Sequence, residues 1–445
     1  MKNAFNTQQE ENSDPLGALE ADLSVYYSGT DDPQIEHDLE DLQHQLRDFT
    51  DQYKDKISGM NALELAQMFG DYDDLLAVSK KLETYANLLS AKDRNTYSSF
   101  TTRIIEKITS ILSPLSFFDE ELQELDEEDL NTKYAELPQL ERYRPLIDDI
   151  RKYKPYQLER ESEELLDSLG TSEWVSLFDK MELNRTYYFA DPVTGKQDTL
   201  TENEIWEVIN THPDNNVSDA ALECYLNTRK SELPVKAHIL NEIIRRKNII
   251  DEKRGYATPV SSRNLANNIE DEVVEALAKT ITSAYPRISH RYHDLTRRVQ
   301  GKGILKHYNT GLPFTQKVTH PSRSFNEARD IILESTAGFH PHMADIAKDF
   351  FDDNRIDARF TEGKTSRQFA DPGSILAKPY LFVGYDGTPD SILTLAHETF
   401  HGIHAVAAAN ATRSQSLFRV PLTVAETAST FGERLVFEHK IAAET

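Results

Sequence analysis

Residues 392–406 constrain this chain more than any other stretch. Ile392, Leu393, Leu395, Ala396, Phe400, Ile403 and Val406 recur at spacings that spread apolar side chains around most of a helix, so the segment has to lie inside the protein. Set into that surface are His397, Glu398 and His401, in the pattern H-E-x-x-H. Two histidines at i and i+4 share one helical face, and their ring nitrogens can converge on one ion. Glu398 follows the first histidine, which puts its carboxylate beside the remaining coordination position, where a water would sit. That is a hydrolase arrangement; a pair of hydrogen-bonded core histidines is the plainer alternative. The local context favours the metal. Residues 380–383 read as a short buried strand, and residues 384–390 are dense in turn formers. Thr388 can cap a helix with Pro389 at its first position, or Asp390 can be the cap.

A third ligand separates the zinc-hydrolase classes. The metzincin pattern needs glycine at position 404 and histidine at 407, but this chain has His404 and Ala407, so that class is excluded. The next candidate is Glu426, 25 residues after His401, at the start of a second helical pattern that follows Val420-Pro421. Two histidines from one helix and a glutamate from another leave one tetrahedral position open. Glu433, seven residues further, shares the face of Glu426 and can support a ligand histidine from behind. His404 lies on the ligand face but two turns from His397, so it is expected near the substrate or behind the ligands rather than on the metal.

The frame T-L-A-H-E-x-x-H-x-x-H at residues 394–404, with A-E-x-A-S-T-F-x-E at residues 425–433, resembles the thimet-oligopeptidase-like zinc metallopeptidases, and within them the oligoendopeptidase F branch. Residues 23–42 resemble that branch's opening segment, Lys253-Arg254-Gly255-Tyr256 its arginine-glycine-tyrosine element, and residues 363–369 its substrate-side loop. The resemblance implies a mainly α, multi-helix zincin-type fold with a small β-sheet beside the metal-binding helix. It implies one Zn2+ per chain and short unstructured oligopeptides as substrates in a deep channel.

Three departures stand out. Phe400 replaces the glycine usual before the second ligand histidine, so its ring either packs in the core or narrows the cleft. Thr365-Ser366-Arg367-Gln368 replaces a segment that commonly carries a glycine-alanine pair before the aromatic. The family's tyrosine and histidine side chains that bind the substrate carbonyl are expected beyond Thr445. Within the chain, His404, Tyr385, Tyr308 and His439 are candidates for that role by residue type alone, and Tyr380 is a candidate substrate contact.

Composition bounds the rest. At 445 residues with 38% apolar side chains, the chain can bury several cores. The expected division is a helical region over 1–115, a helical subdomain with a small hairpin over 116–200, and a catalytic domain from 201 onward. A net charge of −26 opposes binding to nucleic acid or to an anionic membrane surface. One cysteine, Cys224, excludes a disulfide within the chain. The polar, acidic residues 1–15 carry no apolar leader core, and the expected location is cytoplasmic. Residues 119–130 (DEELQELDEEDL) lack the glycine and ligand alternation of a calcium loop and read as a solvated helix or linker.

The chemistry expected from these residues is metal-assisted hydrolysis of a peptide bond, with Glu398 as the base and the strand near Tyr380 receiving an extended substrate. Two other readings compete. One is a catalytically silent helical peptide-binding protein that retains the metal site. The other is a metal-dependent aminopeptidase, for which no G-x-M-E-N-type reader of an amino terminus occurs in the sequence.

Overall fold

The computed structural model describes residues 20–301 and 322–444, apart from positions 160–161, 164–165, 167–171, 184, 213, 300, 362, 366 and 419. Helices dominate. The first, α1 (Pro33–Tyr53), is started by Asp32, whose side chain accepts from the Gln34 N–H, with Pro33 at the first position. It buries Ile35, Leu39, Leu42, Leu46, Phe49 and Tyr53, a three-four alternation that presents one face to the core. A capping box between Asn61 and Glu64 starts α2 (Ala62–Lys92), and Asp93 both ends α2 and caps α3 (Arg94–Leu112).

The acidic stretch after α3, expected as a solvated helix or linker, is helical and buries one face. It forms α4 (Ser116–Glu124) and the start of α5 (Glu127–Glu136), and Phe117, Phe118, Leu122, Leu125 and Leu130 are buried in the same core as α1 and α2. Its carboxylates face outward while the interleaved apolar residues face inward, a pattern that the charge density masks. The short α6 (Arg144–Arg151) completes this layer.

Residues 155–263 pack as a compact unit of their own. It contains α7 (Ser172–Leu183), a hairpin of β1 (Tyr187–Ala190) and β2 (Gln197–Leu200), α8 (Glu202–Thr211) and the long α9 (Asn215–Arg254). The hairpin was expected from its turn residues, and Tyr187 pairs with Leu200 in antiparallel register. Arg185, its side chain almost wholly buried, is held by Glu182, Glu202 and Glu232. In the arginine-glycine-tyrosine element, Arg254 donates to Glu163 at 2.7 Å and Tyr256 stacks on Tyr156 with ring centres 4.1 Å apart, so both side chains knit this unit together.

The rest of the chain, residues 1–154 and 264–445, forms the second unit. Packing therefore groups the first helices with the metal-motif region, where a division at 115 and 200 was expected. After α10 (Asp271–Ala284) and α11 (Ser289–Val299) come α12 (Phe325–Phe339) and α13 (Pro341–Asp352). A three-stranded sheet follows, made of β3 (Ile356–Asp357), β4 (Phe369–Asp371) and β5 (Tyr380–Phe382) in the order β3-β5-β4. Last are α14 (Pro389–Thr412), capped by Thr388 with Pro389 at its first position, and α15 (Leu422–Glu444). No described helix is long and apolar enough to cross a membrane.

β5 is the central strand and is buried on both faces. Tyr380 and Phe382 point into the core of the first helices, whereas Leu381 and Val383 point into a second core with Ile392, Leu395, Ala396 and Phe400 of α14. The period of two thus places the sheet as a wall shared by two cores. Beside it, the Lys364 ammonium sits 2.5 Å from the Asp357 carboxylate, both nearly inaccessible, and lies within 2.7–3.1 Å of the carbonyls of Arg359, Val383 and Asp357. Burial pulls the Lys364 pKa down while Asp357 opposes that shift. Gly363, with φ +81°, lets the preceding turn pass against the Asp93 side chain, and its carbonyl accepts from the Arg94 N–H. The expected effect of Lys364→Met is a loss of about 3–5 kcal/mol, because Asp357 is left buried and unpaired. Chemical denaturation of the two proteins measures it.

Candidate metal centre

α14 places His397 and His401 one turn apart, ring centres 4.9 Å from each other. α15 brings Glu426 to them: its Oε2 is 3.3 Å from His397 Nε2 and 3.5 Å from His401 Nε2. Ligand atoms of these three residues lie within 4.8 Å of one another, the only such grouping of three or more found among the described residues. Two imidazoles and one carboxylate converging from two helices are a donor set that could hold a metal ion. Burial and the neighbouring histidines depress the pKa of His401, which Glu426 counteracts; a neutral imidazole is the form that donates a lone pair.

Glu398 is 6% exposed, and its Oε2 is buried without a hydrogen-bond partner. An orphaned carboxylate oxygen is costly unless a water or ion completes it, so this residue fits a site that receives one. Burial pushes its pKa up to about 7, and Glu426 adds to that, while His397 and a backbone contact from Ala370 pull it down. Behind the ligands, Glu433 Oε2 lies 3.3 Å from His397 Nδ1, the nitrogen turned away from Glu426. The Ser429 hydroxyl, fully buried, donates to Glu426 Oε2 at 2.8 Å. Sequence reasoning missed Ser429, although its position three residues after a candidate ligand is the helical spacing that permits the contact.

The remaining candidates divide. His404 lines the cavity over the site together with His397, Glu398, His401 and Glu426. Tyr380 does not reach it: the ring is buried in the first core and its hydroxyl donates to the Asp22 carbonyl at 2.5 Å. Tyr385 packs edge-on against Phe325, with its hydroxyl 2.9 Å from the Arg323 carbonyl. His439 lies near Glu334, one α15 turn and more beyond Glu433. Tyr308 falls outside the described residues.

The strand open to the cavity is β4, not the strand of Tyr380. Leu381 N–H donates to Arg355 and Val383 N–H to Asp357, so the polar groups of Leu381 serve β3. Tyr380 and Phe382 therefore serve β4, and Ala370, opposite Leu381, turns its N–H and C=O to the edge facing the cavity, where the N–H lies against the Glu398 carboxylate. Phe369 stacks on Phe382 at 5.4 Å and fixes this edge, while Gln368 and Ala370 line the cavity. Sequence hydrophobicity points to the most buried strand, and an edge is by nature the less buried one.

Phe400 packs in the core rather than narrowing the cleft. It is 1% exposed and lies over Gly432 of α15, where a Cβ would penetrate its ring. Because Gly432 sits between Glu426 and Glu433, this contact sets how closely α15 approaches α14. Gly432→Ala is expected to force the helices apart and weaken Zn2+ binding by about tenfold or more. Adding Phe400→Leu should restore much of it. Competition with a zinc chelator dye gives both affinities.

The sequence profile of peptidase family M3 matches residues 213–445, and that described as oligopeptidase F matches residues 121–180. The chain belongs to peptidase family M3. Among its relatives, Group B oligopeptidase PepB of Streptococcus agalactiae is 25% identical over 355 residues, covering 78% of this chain and 57% of that protein. Oligopeptidase PepF of Bacillus subtilis is 24% identical over 87% of this chain and 58% of that one. The chain thus spans less than two thirds of the length of these relatives. Among solved structures, oligoendopeptidase-F from Enterococcus faecium aligns with a TM-score of 0.64 at 18% identity, over 93% of this chain and 68% of that one. A putative peptidase from Chlamydophila abortus aligns at 0.68 and 19%, over 97% and 72%. These likenesses establish the mainly helical fold with its small sheets.

Proposed function

We propose that this chain carries the metal centre of a zinc-dependent oligoendopeptidase, with His397, His401 and Glu426 as ligands and Glu398 as general base. The unpartnered Glu398 Oε2, buried beside a converged His-His-Glu set, carries this reading. Zn2+ in that position supplies Lewis acidity toward a scissile carbonyl and lowers the pKa of water. Glu398 Oε2 takes the proton of the attacking water and passes it to the leaving amine. Glu433 orients His397 through Nδ1, and Ser429 holds the Glu426 carboxylate. The substrate lies extended along the outer edge of β4, hydrogen-bonded through the Ala370 carbonyl, a geometry open to unfolded peptides and closed to folded chains.

The competing reading is a peptide-binding protein that holds zinc without turnover. Cleavage of an internally quenched, end-blocked peptide separates the two. With zinc bound, the chain should cut it, and Glu398→Gln should lower the rate by about a hundredfold or more while zinc content stays at one per chain. Turnover that survives this substitution removes Glu398 as the base. Glu426→Ala should instead lose the metal itself.

A further inference from the structure

The space around the metal centre has two arms of different chemistry. On the side of Leu393 and Thr394, a cavity of about 460 Å3 is reached past Gln368, His397 and Glu398. On the side of His401 and His404, a larger cavity of about 960 Å3 extends to the helices of the first core. Its far wall is Tyr72 and Leu76 of α2, Leu112 of α3 and Leu146 of α6. Each of these four is half-buried, packed on one side against the first core and open on the other to the cavity. The charges on that wall, Lys80 and Glu83, pair with each other at 3.4 Å and so answer one another rather than a ligand. Half-buried apolar side chains around a cavity of this size hold water poorly and gain when an apolar group replaces it.

The direction of the substrate follows from β4. Gln368, just before the strand, lines both cavities, whereas Pro372 and Gly373, just after it, line only the larger. Antiparallel pairing is the more stable and more frequent way to extend an edge. A peptide antiparallel to β4 puts its residues before the scissile bond in the larger arm and those after it in the smaller.

We propose that Tyr72, Leu76, Leu112 and Leu146 form a selectivity pocket for a large apolar side chain on the amino-terminal side of the scissile bond, an inference that rests on the hydrolytic reading above. The first helices are then part of the substrate site rather than a separate support.

The test is a set of internally quenched peptides that differ at one position at a time, carrying Phe, Leu, Gly, Asp or Lys, with cleavage sites mapped by mass spectrometry. Phe or Leu before the cut bond should exceed Gly in kcat/KM by about tenfold or more. Leu76→Trp, which fills the pocket, and Leu146→Ala, which enlarges it, should each change the Phe-to-Gly ratio, with folding checked by circular dichroism. In parallel, fluorescein-labelled peptides binding to the zinc-loaded Glu398→Gln protein should show the same preference in Kd. A ratio near one, a ratio unmoved in both folded variants, or an apolar preference only after the cut bond overturns the proposal. If no peptide is cut although zinc is bound, the hydrolytic reading falls, and the affinity ratio still decides whether the pocket selects apolar side chains.

Discussion

The close approach of α14 and α15 is the constraint on which the rest depends. Two candidate ligands and the candidate base come from one helix, and the third candidate ligand and its supports from the other, so the helix spacing sets the geometry of the set. Phe400 lying over Gly432 fixes that spacing by shape, since neither a larger residue at 432 nor an unfilled space at 400 leaves the axes where they are. Gly402 does the same on the opposite side, where the ring of Phe350 from α13 leaves no room for a Cβ. The helix is thereby held on two sides, its own Phe400 ring seated on Gly432 of α15 and the Phe350 ring of α13 seated on its Gly402.

The loop joining α14 to α15 adds a polar restraint. Asp73 of α2 is buried and accepts from the Ser416 N–H at 2.8 Å and from the Tyr143 hydroxyl at 2.9 Å. Gln415 accepts from the Ile375 N–H at 2.9 Å, and the Ser374 hydroxyl lies 2.8 Å from the Ala77 carbonyl. These buried polar groups are matched to one another, as suits a place where water does not reach. The loop therefore registers α15 against α2 as well as against α14.

What the sequence made legible is the chemistry that repeats at fixed local spacing. The i, i+4 histidines, the intervening Glu398 and the Thr388-Pro389 helix start are all local, and Glu426 and Glu433 were reachable through helical periodicity and family resemblance. Contacts between elements distant in sequence were not legible. Nothing near Tyr380 says that its hydroxyl ends at Asp22, or that the open edge belongs to β4. The acidic residues 119–130 read in the sequence as a solvated helix or linker and are helical; what the charge density hid is the apolar face that Phe117, Phe118, Leu122 and Leu125 bury. Ser429 sits between these cases, visible by spacing once Glu426 is taken as a ligand.

The Asp73 contacts have a bearing on modularity. A carboxylate on α2 holds the loop between α14 and α15, and the same helix lines the cavity above them. The region from residue 264 onward is therefore not a portable unit: excised or grafted elsewhere, it would lose a wall of its cavity and the partner of Ser416 together. The fit of α2 and the fit of the Ser414–Ser416 segment are one and the same contact, so a change to Asp73 is felt in the loop as well as in the helix.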